Sequence, residues 1–339
     1  YGDVNPVLDA TVVGEVSGGD AINYTLGTTA TQFSNVGDYA IVVTLGTNPN
    51  YNVAAVDGNL HINQKAASVT PNAANKVYGS ADPLLSGTLN GFLAADGVTA
   101  TYSRTPGETV AGSPYTINAT LSPASVLSNY AITYNTANFT ITKKAASVTP
   151  NPASKIFGSP DPVFTGTLSG FLPADSVTAT YGRTAGEAVG TYTISATLSP
   201  AGVLGNYNIT YNTATFTISP WTKQGFYQPV DMGSVWNTVK SGSTVPLKFE
   251  LFSGTSELTD VSAVLSIKSK VVACTAMPGA VEDAIETLAS TGGTALRYDS
   301  TSGQFIFNWK TSGGAGTCLQ VTMTAADNTT TITAFFKLK

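Results

Sequence analysis

Apolar and polar residues alternate with a period of two along much of this chain. In Tyr115-Thr116-Ile117-Asn118-Ala119-Thr120-Leu121, the residues Tyr115, Ile117, Ala119 and Leu121 fall on one face. Such alternation predicts a half-buried strand. Residues 137–141 repeat the pattern. Residues 244–251 place Leu247, Phe249 and Leu251 inward and Lys248 and Glu250 outward, and residues 304–309 put Phe305, Phe307 and Trp309 on one face. Residues 319–324 and 331–336 predict the last strands. Turn pairs separate these runs: Asn-Pro, Asp-Pro and Gly-Ser, with Pro106-Gly107 suited to the centre of a type II turn. Only residues 91–96 and their copy 170–175 suit a helical turn, and they are too short for an independent helix.

The strand pattern recurs. Lys65-Ala66-Ala67-Ser68-Val69-Thr70-Pro71-Asn72 returns 79 residues later as Lys144-Ala145-Ala146-Ser147-Val148-Thr149-Pro150-Asn151, and 32 of 46 positions from Lys65 and from Lys144 are identical. Such self-similarity marks a repeat architecture. The register then slips by two, so that Tyr115-Thr116-Ile117 answers Tyr192-Thr193-Ile194. Asn129-Tyr130 answers Asn206-Tyr207, and Phe139-Thr140-Ile141 answers Phe216-Thr217-Ile218. A fainter copy opens the chain: Tyr1-Gly2 matches Tyr78-Gly79, Asn50-Tyr51 matches Asn129-Tyr130, and Leu60-His61-Ile62 matches Phe139-Thr140-Ile141. The expected units are 1–64, 65–143 and 144–219, followed by a different domain over 220–339. Short linkers at Lys143-Lys144 and Ser219-Pro220 predict hinges in an elongated array.

Lys76-Val77-Tyr78-Gly79-Ser80-Ala81-Asp82-Pro83, Gly91-Phe92-Leu93, the Arg104-Thr105 and Gly107-Glu108 pairs, and the closing Asn-Tyr and Phe-Thr-Ile resemble the MBG-type domains of bacterial cell-surface proteins. The resemblance implies small, mainly β modules, β-grasp-like or Ig-like, strung in tandem on exported proteins. The first unit departs from it, having no Arg-Thr-x-Gly-Glu. It also lacks a counterpart of residues 65–77, whose Ala66-Ala67-Ser68-Val69-Thr70-Pro71 predicts an opening strand. A β module without that strand presents unpaired backbone groups. The expectation is either a longer native chain, which we favour, or a strand supplied by another copy of the protein.

Past Ser219-Pro220, about 110 residues of short strands with Gly/Ser turns predict an Ig-like β-sandwich. Pro246-Leu247-Lys248-Phe249, with Trp309-Lys310-Thr311 and Gly316-Thr317-Cys318, resembles the PxKF domain of bacterial exported proteins. That resemblance brings no activity with it. Cys274 and Cys318 are the only cysteines. An even count in an exported β domain reads as a disulfide, two buried thiols being the alternative.

Composition narrows the function. Charged residues are 11% and hydrophobic ones 42%, with 50 Thr and 33 Gly, so the surface is neutral and polar, as suits a secreted protein. Sixteen Lys+Arg against 21 Asp+Glu leave no basic footprint for nucleic acid. No apolar run approaches the roughly 18 residues of a membrane helix. Tyr1-Gly2-Asp3-Val4 has neither the basic start nor the apolar stretch of a signal peptide, which predicts a trimmed form or a fragment.

Nothing in the sequence has the spacing of a nucleophile elbow, a zinc protease, a phosphate loop or a thiol redox pair, and no cofactor is expected. The lone histidine, His61, alternates with Leu60 and Ile62 and is expected on a solvent face. The acids a glycosidase would need are Asp96, Glu108, Asp175 and Glu187. Recurring beside turns, they read better as caps or as partners of Arg104 and Arg183. Calcium at Asp82/Asp96 and Asp161/Asp175 lacks oxygen ligands at loop spacing, so no metal is expected. Lys76 and Lys155 near strand ends are expected in solvent, which disfavours isopeptide chemistry. Trp309 reads as core, whereas Trp221 and Trp236 lie in loop-like segments and are candidates for stacking on sugar rings.

The expected function is a non-catalytic structural array, a stalk or filament, of an exported bacterial surface protein. The alternatives are an adhesive or glycan-binding surface protein and an ancillary region of a larger secreted enzyme. Expected partners are surface glycans and copies of the protein itself, paired through the first repeat.

Overall fold

The computed structural model describes residues 1–275, 281–284 and 295–339. The chain groups into two compact units, residues 1–145 with 201–208 and residues 146–200 with 209–339. The first repeat contributes β1 (Tyr24–Thr28), β2 (Gly37–Leu45) and β3 (Gly58–Ile62), one antiparallel sheet in that order. The second contributes β4 (Lys65–Pro71), β5 (Ala74–Val77), β6 (Gly87–Asn90), β7 (Thr99–Arg104), β8 (Tyr115–Ser122), β9 (Tyr130–Tyr134) and β10 (Ala137–Thr142).

In the second repeat the alternation folds as two small sheets. One is β5-β10-β8-β7 and the other β6-β4-β9, in which β4 is central, antiparallel to β6 and parallel to β9. Tyr115, Ile117, Phe139 and Ile141 cluster as the core, with Ile117 and Phe139 wholly buried. Ala67 and Val69 are the buried face of β4. Each large apolar side chain so buried stabilises the module by about 1.5–3 kcal/mol. Each full module is mainly β, as expected, and forms two small sheets with a parallel pair in each. A β-grasp needs a helix long enough to lie across a sheet, and the α-helical segments here are single turns, α1 (Ala124–Leu127) and α2 (Ala201–Leu204). Both turns follow a Ser-Pro pair, a helix start that the strand periodicity on either side conceals. The expected turns over 91–96 and 170–175 form as short 3₁₀ segments, Ala94–Asp96 and Pro173–Asp175.

The third repeat contributes β11 (Lys144–Pro150), β12 (Ala153–Ile156), β13 (Gly166–Ser169), β14 (Thr178–Arg183), β15 (Gly190–Ser199), β16 (Tyr207–Tyr211) and β17 (Ala214–Ser219). Its sheets, β12-β17-β15-β14 and β13-β11-β16, repeat the orders of the second. Lys143 alone separates β10 from β11.

Residues 1–64 form one of this module's two sheets. Its strands match β7, β8 and β10: Leu26 faces Val43 where Tyr102 faces Ala119, and Tyr39 faces Leu60 where Tyr115 faces Phe139. Residues 1–64 hold no counterpart of β4. Residues 10–13 and 51–55, which align with β6 and β9, form no strand. In the second repeat β6 and β9 pair with β4. Leu45 is 37% exposed where its counterpart Leu121 is 7%.

The last domain contains β18 (Thr222–Gly225), β19 (Val235–Val239), β20 (Thr244–Ser253), β21 (Ser256–Glu257), β22 (Val264–Val272), β23 (Val281–Ala284), β24 (Arg297–Asp299), β25 (Gln304–Lys310), β26 (Cys318–Ala325) and β27 (Thr331–Leu338). Two sheets, β18-β20-β25-β24 with β21 on β20, and β22-β26-β27-β19-β23, enclose one core. Leu247, Phe249 and Leu251 of β20 are wholly buried in it, while Lys248 and Glu250 are only half-buried. Phe305 and Trp309 of β25 join that core.

Cys274 and Cys318 are bonded, with Cα atoms 5.3 Å apart. The bond closes a 44-residue separation beside the end of β22, where Val272 faces Cys318. Reducing it is expected to cost this domain roughly 2–4 kcal/mol by loop closure. Calorimetry with and without reductant reads the loss. An unchanged midpoint for the domain would contradict it.

Candidate functional site

The charged residues of the repeat motif converge on one cluster in each full module. Short β5 runs parallel to β10 and sets Lys76 beside Ile141, at the end of the core. Arg104 closes β7. Its guanidinium lies over the rings of Phe139, at 4.7 Å, and Tyr115, at 5.4 Å. All five guanidinium N–H groups are spent. Nε and Nη2 donate to the two oxygens of Asp82, at 2.5 and 3.1 Å; Nη2 also donates to Glu108 at 2.5 Å; Nη1 donates to the carbonyls of Thr105 and Gly107. Lys76 bridges the same two acids, at 2.7 Å from Asp82 and 2.5 Å from Glu108. The third repeat builds the same cluster from Lys155, Asp161, Arg183 and Glu187, with Arg183 over Phe216 and Tyr192.

Lys76 and Lys155 therefore do not stand in solvent as the sequence led us to expect, since each side chain is only 5% exposed. Burial of so polar a group is tolerated because two carboxylates meet it. The turn glycine is needed here for a reason other than a type II turn. Gly107 has φ +144°, and a Cβ on it would lie 2.0 Å from the Tyr115 ring.

The cluster holds its acids ionised. The Arg104 hydrogen bond outweighs burial and keeps Asp82 at about 2, with Lys76 adding to the effect. Arg183, then Lys155, hold Asp161 at about 2. Glu108 lies below its usual range because Lys76 donates to it. A general acid needs the opposite shift. Two cations and two anions on fixed donors make a structural clamp.

The remaining motif residues meet at the junctions between modules. Tyr1 of the first Tyr-Gly lies edge-on to Tyr130, ring centroids 5.5 Å apart at 81°. Tyr78 of the second meets Tyr207 in the same way, at 5.5 Å and 79°. Phe157 of the Phe-Gly pair meets Trp221, at 5.4 Å and 83°. The Asn of the second and third Asn-Tyr pairs also reaches into the module before it. Asn129 Oδ1 accepts from the Val36 N–H at 3.0 Å, and Asn206 Oδ1 from the Val110 N–H at 2.9 Å.

At the first junction Asp96 accepts from the hydroxyls of both Tyr1 and Tyr130. Burial first, then this hydrogen bond, pushes the Tyr130 hydroxyl up to about 12. Gly2, at φ +85°, leaves room for Leu93, since a Cβ on it would come within 2.9 Å of that side chain.

The other candidates fall apart from one another. Asp82 belongs to the ion cluster and Asp96 to the junction, so the calcium pairing is not assembled, and no group of metal-ligating side chains forms among the described residues. Glu108 and Glu187 pair with Arg104 and Arg183. His61 lies on the exposed face of β3, with Nδ1 2.7 Å from Asp38, whose carboxyl it holds below the usual range. Neither tryptophan is a free sugar platform. Trp236 is 4% exposed and edge-on to Phe335. Trp221 is half-buried against Phe157, its indole N–H donating to the Phe157 carbonyl at 3.0 Å. It is anchored to the last domain by a backbone bond to Asp327. The recurrence of Tyr-Gly and Asn-Tyr at fixed positions was the available signal for these junctions, but sequence alone does not show that one module's pair meets the next module's.

These features define a class: tandem β modules joined head to tail by their own signature residues. The profile of the MBG domain (YGX type) matches residues 1–61, 67–140 and 146–217. The chain belongs to that family. No curated protein matches it. Among solved structures, the I-band fragment I67–I69 of titin is 8% identical with a TM-score of 0.27, covering 81% of this chain and 96% of that one. Sidekick-1 immunoglobulin domains 1–4 are 10% identical with a TM-score of 0.19, covering 95% and 91%. Drosophila N-cadherin EC1–4 is 10% identical with a TM-score of 0.20, covering 89% and 82%. Likenesses this weak carry no conclusion about the chain's arrangement or role.

The clusters make the second and third modules acid-sensitive. Unfolded Asp and Glu titrate near 4, so between pH about 4 and 2 the unfolded chain binds more protons than the folded one. The clusters' contribution is fully present above about pH 4 and is lost as pH falls toward 2. Hydrogen exchange at β8 and β15 across this window is expected to show the loss, and Arg104→Ala to flatten it at β8 alone. Equal slopes in both modules of the variant would contradict the assignment.

Proposed function

We propose that the protein is a non-catalytic structural array of an exported, cell-surface protein, in which successive β modules meet through a recurring aromatic contact. The observation that carries this reading is the aromatic pair repeated at three junctions with near-identical geometry. A pair of this kind contributes about 0.5–1.5 kcal/mol beyond its buried area. At the first two junctions an Asn side chain also ties the preceding loop, so these contacts are more than a free tether.

The array comprises modules over 1–64, 65–143 and 144–219 and a terminal sandwich over 220–339, which we read as PxKF-like. Low charge and a Thr-rich surface support an extracellular location on a bacterial cell. Among the described residues no helix is long and apolar enough to cross a membrane. The adhesive alternative loses its proposed carriers, because Trp221 and Trp236 are engaged inside the protein.

Spin labels at Thr44→Cys and Thr101→Cys, in the first and second modules of the full chain, test the coupling. Pulsed dipolar spectroscopy is expected to give one narrow distance distribution, broadened by Asp96→Ala. A distribution already broad before that change would overturn the reading.

A further inference from the structure

In the second module β7 ends its sheet, paired with β8 on one side and, among the described residues, with no strand on the other. The Thr105 N–H donates to the Thr116 carbonyl. By the alternation of an antiparallel ladder, Thr99, Thr101 and Ser103 then also bond to β8, and the N–H and C=O groups of Ala100 and Tyr102 point off the edge. All six residues of β7 pair with β8 in unbroken register, without a bulge, a proline or a lysine. Those are among the devices that stop a sheet edge from adding a strand. The one charge on β7, Arg104, is taken up by Asp82 and Glu108. Thr99, Thr101 and Ser103 are exposed, while Ala100 and Tyr102 are half-buried.

Beside this edge lies an open hollow of about 890 Å³, lined by residues 82–85 and 102–108. Leu85 packs on the core, whereas Leu84 is 97% exposed. Its counterpart in the third module, Val163, is 90% exposed. An apolar side chain so placed adds nothing to folding and gains from a neighbour that covers it.

We propose that β7 is a self-association edge, pairing antiparallel with β7 of a second copy of this chain about a two-fold axis at Thr101. The order of residues in the strand selects this occupant. In this register Ala100 and Tyr102 of one copy exchange main-chain hydrogen bonds with Tyr102 and Ala100 of the other. Thr101 meets the same residue of the second copy, and Thr99 meets Ser103, at the closer, non-hydrogen-bonded positions. Hydroxyl pairs of this kind stabilise a sheet, and Thr322 and Thr333 form one across β26 and β27, 3.2 Å apart. A two-fold contact requires a surface that is its own complement, and a neutral strand with hydroxyls disposed evenly about Thr101 is one. The second copy lies along the side of the module that carries Leu84. In the third module β14 has Gly182 where β7 has Ser103, so it lacks one hydroxyl pair.

Sedimentation velocity on the full chain over a range of concentrations is expected to show a reversible dimer. Thr101→Lys sets like charges face to face and is expected to weaken it at least about tenfold. Thr180→Lys, at the matching place on β14, is expected to weaken it less. Unchanged amide exchange at β8 checks that the Thr101→Lys chain stays folded. With Thr101→Cys, mild oxidation is expected to link two copies, since Cα atoms at such a pair lie about 4.5 Å apart. Thr120→Cys, on the partner position of β8, is expected to stay unlinked. Cys274 and Cys318 are bonded to each other and do not compete.

A monomer at every concentration, equal linkage of the two cysteine variants, or a dimer that Thr101→Lys leaves intact would overturn the proposal. So would a dimer that Thr180→Lys weakens as much as Thr101→Lys does, since the contact would then not be specific to β7.

Discussion

The edge-on aromatic pair at the head of each module is the contact on which the tandem arrangement rests. A ring edge against a ring face has a preferred angle as well as a distance, so it orients as it binds. Tyr1, Tyr78 and Phe157 each present a ring at the same point of the module, just before a glycine. The rings that receive them, Tyr130, Tyr207 and Trp221, come from the next module along the chain. The polar groups around the pair are satisfied as well. Asp96 takes two hydroxyls, and the Asn beside each receiving tyrosine takes a backbone N–H. A buried contact of this kind loses its value if any of those donors is orphaned.

Such coupling requires modules that hold their own shape, and a module of this size has few residues with which to fill a core. The ion cluster makes up part of the shortfall. Arg104 extends the apolar core by lying on Phe139 and Tyr115, and Asp82 and Glu108 neutralise both it and Lys76. The first module shows what remains without these devices. Thr28 stands where Arg104 does, and residues 1–64 form one three-stranded sheet.

Much of the architecture was legible in the sequence because period-two alternation and an exact 79-residue offset are local signals. The inward faces of β8 and β20, the three repeats and the Cys274–Cys318 pairing follow from pattern and parity. The sites were less legible because their partners are distant. Lys76 meets an acid 32 residues away, and Tyr1 one 95 residues away. Near a strand end Lys76 reads as solvent-facing, and only the return of β7 and its turn buries it. Trp221 sits between strands, where loops are ordinarily open, whereas Trp236, whose segment reads as a loop, lies in β19. Each is covered by an aromatic partner that no spacing rule connects to it, Phe157 and Phe335.

A double-mutant cycle on Tyr78 and Tyr207 in the full chain measures the coupling itself. Hydrogen exchange gives the opening free energy of the second module for the parent, for Tyr78→Leu, for Tyr207→Leu and for the double variant. If the rings bind one another as described, the two losses are non-additive, with a coupling energy of about 1 kcal/mol. Losses that add to within about 0.3 kcal/mol would mean that the rings do not interact, and that the modules are merely adjacent in sequence.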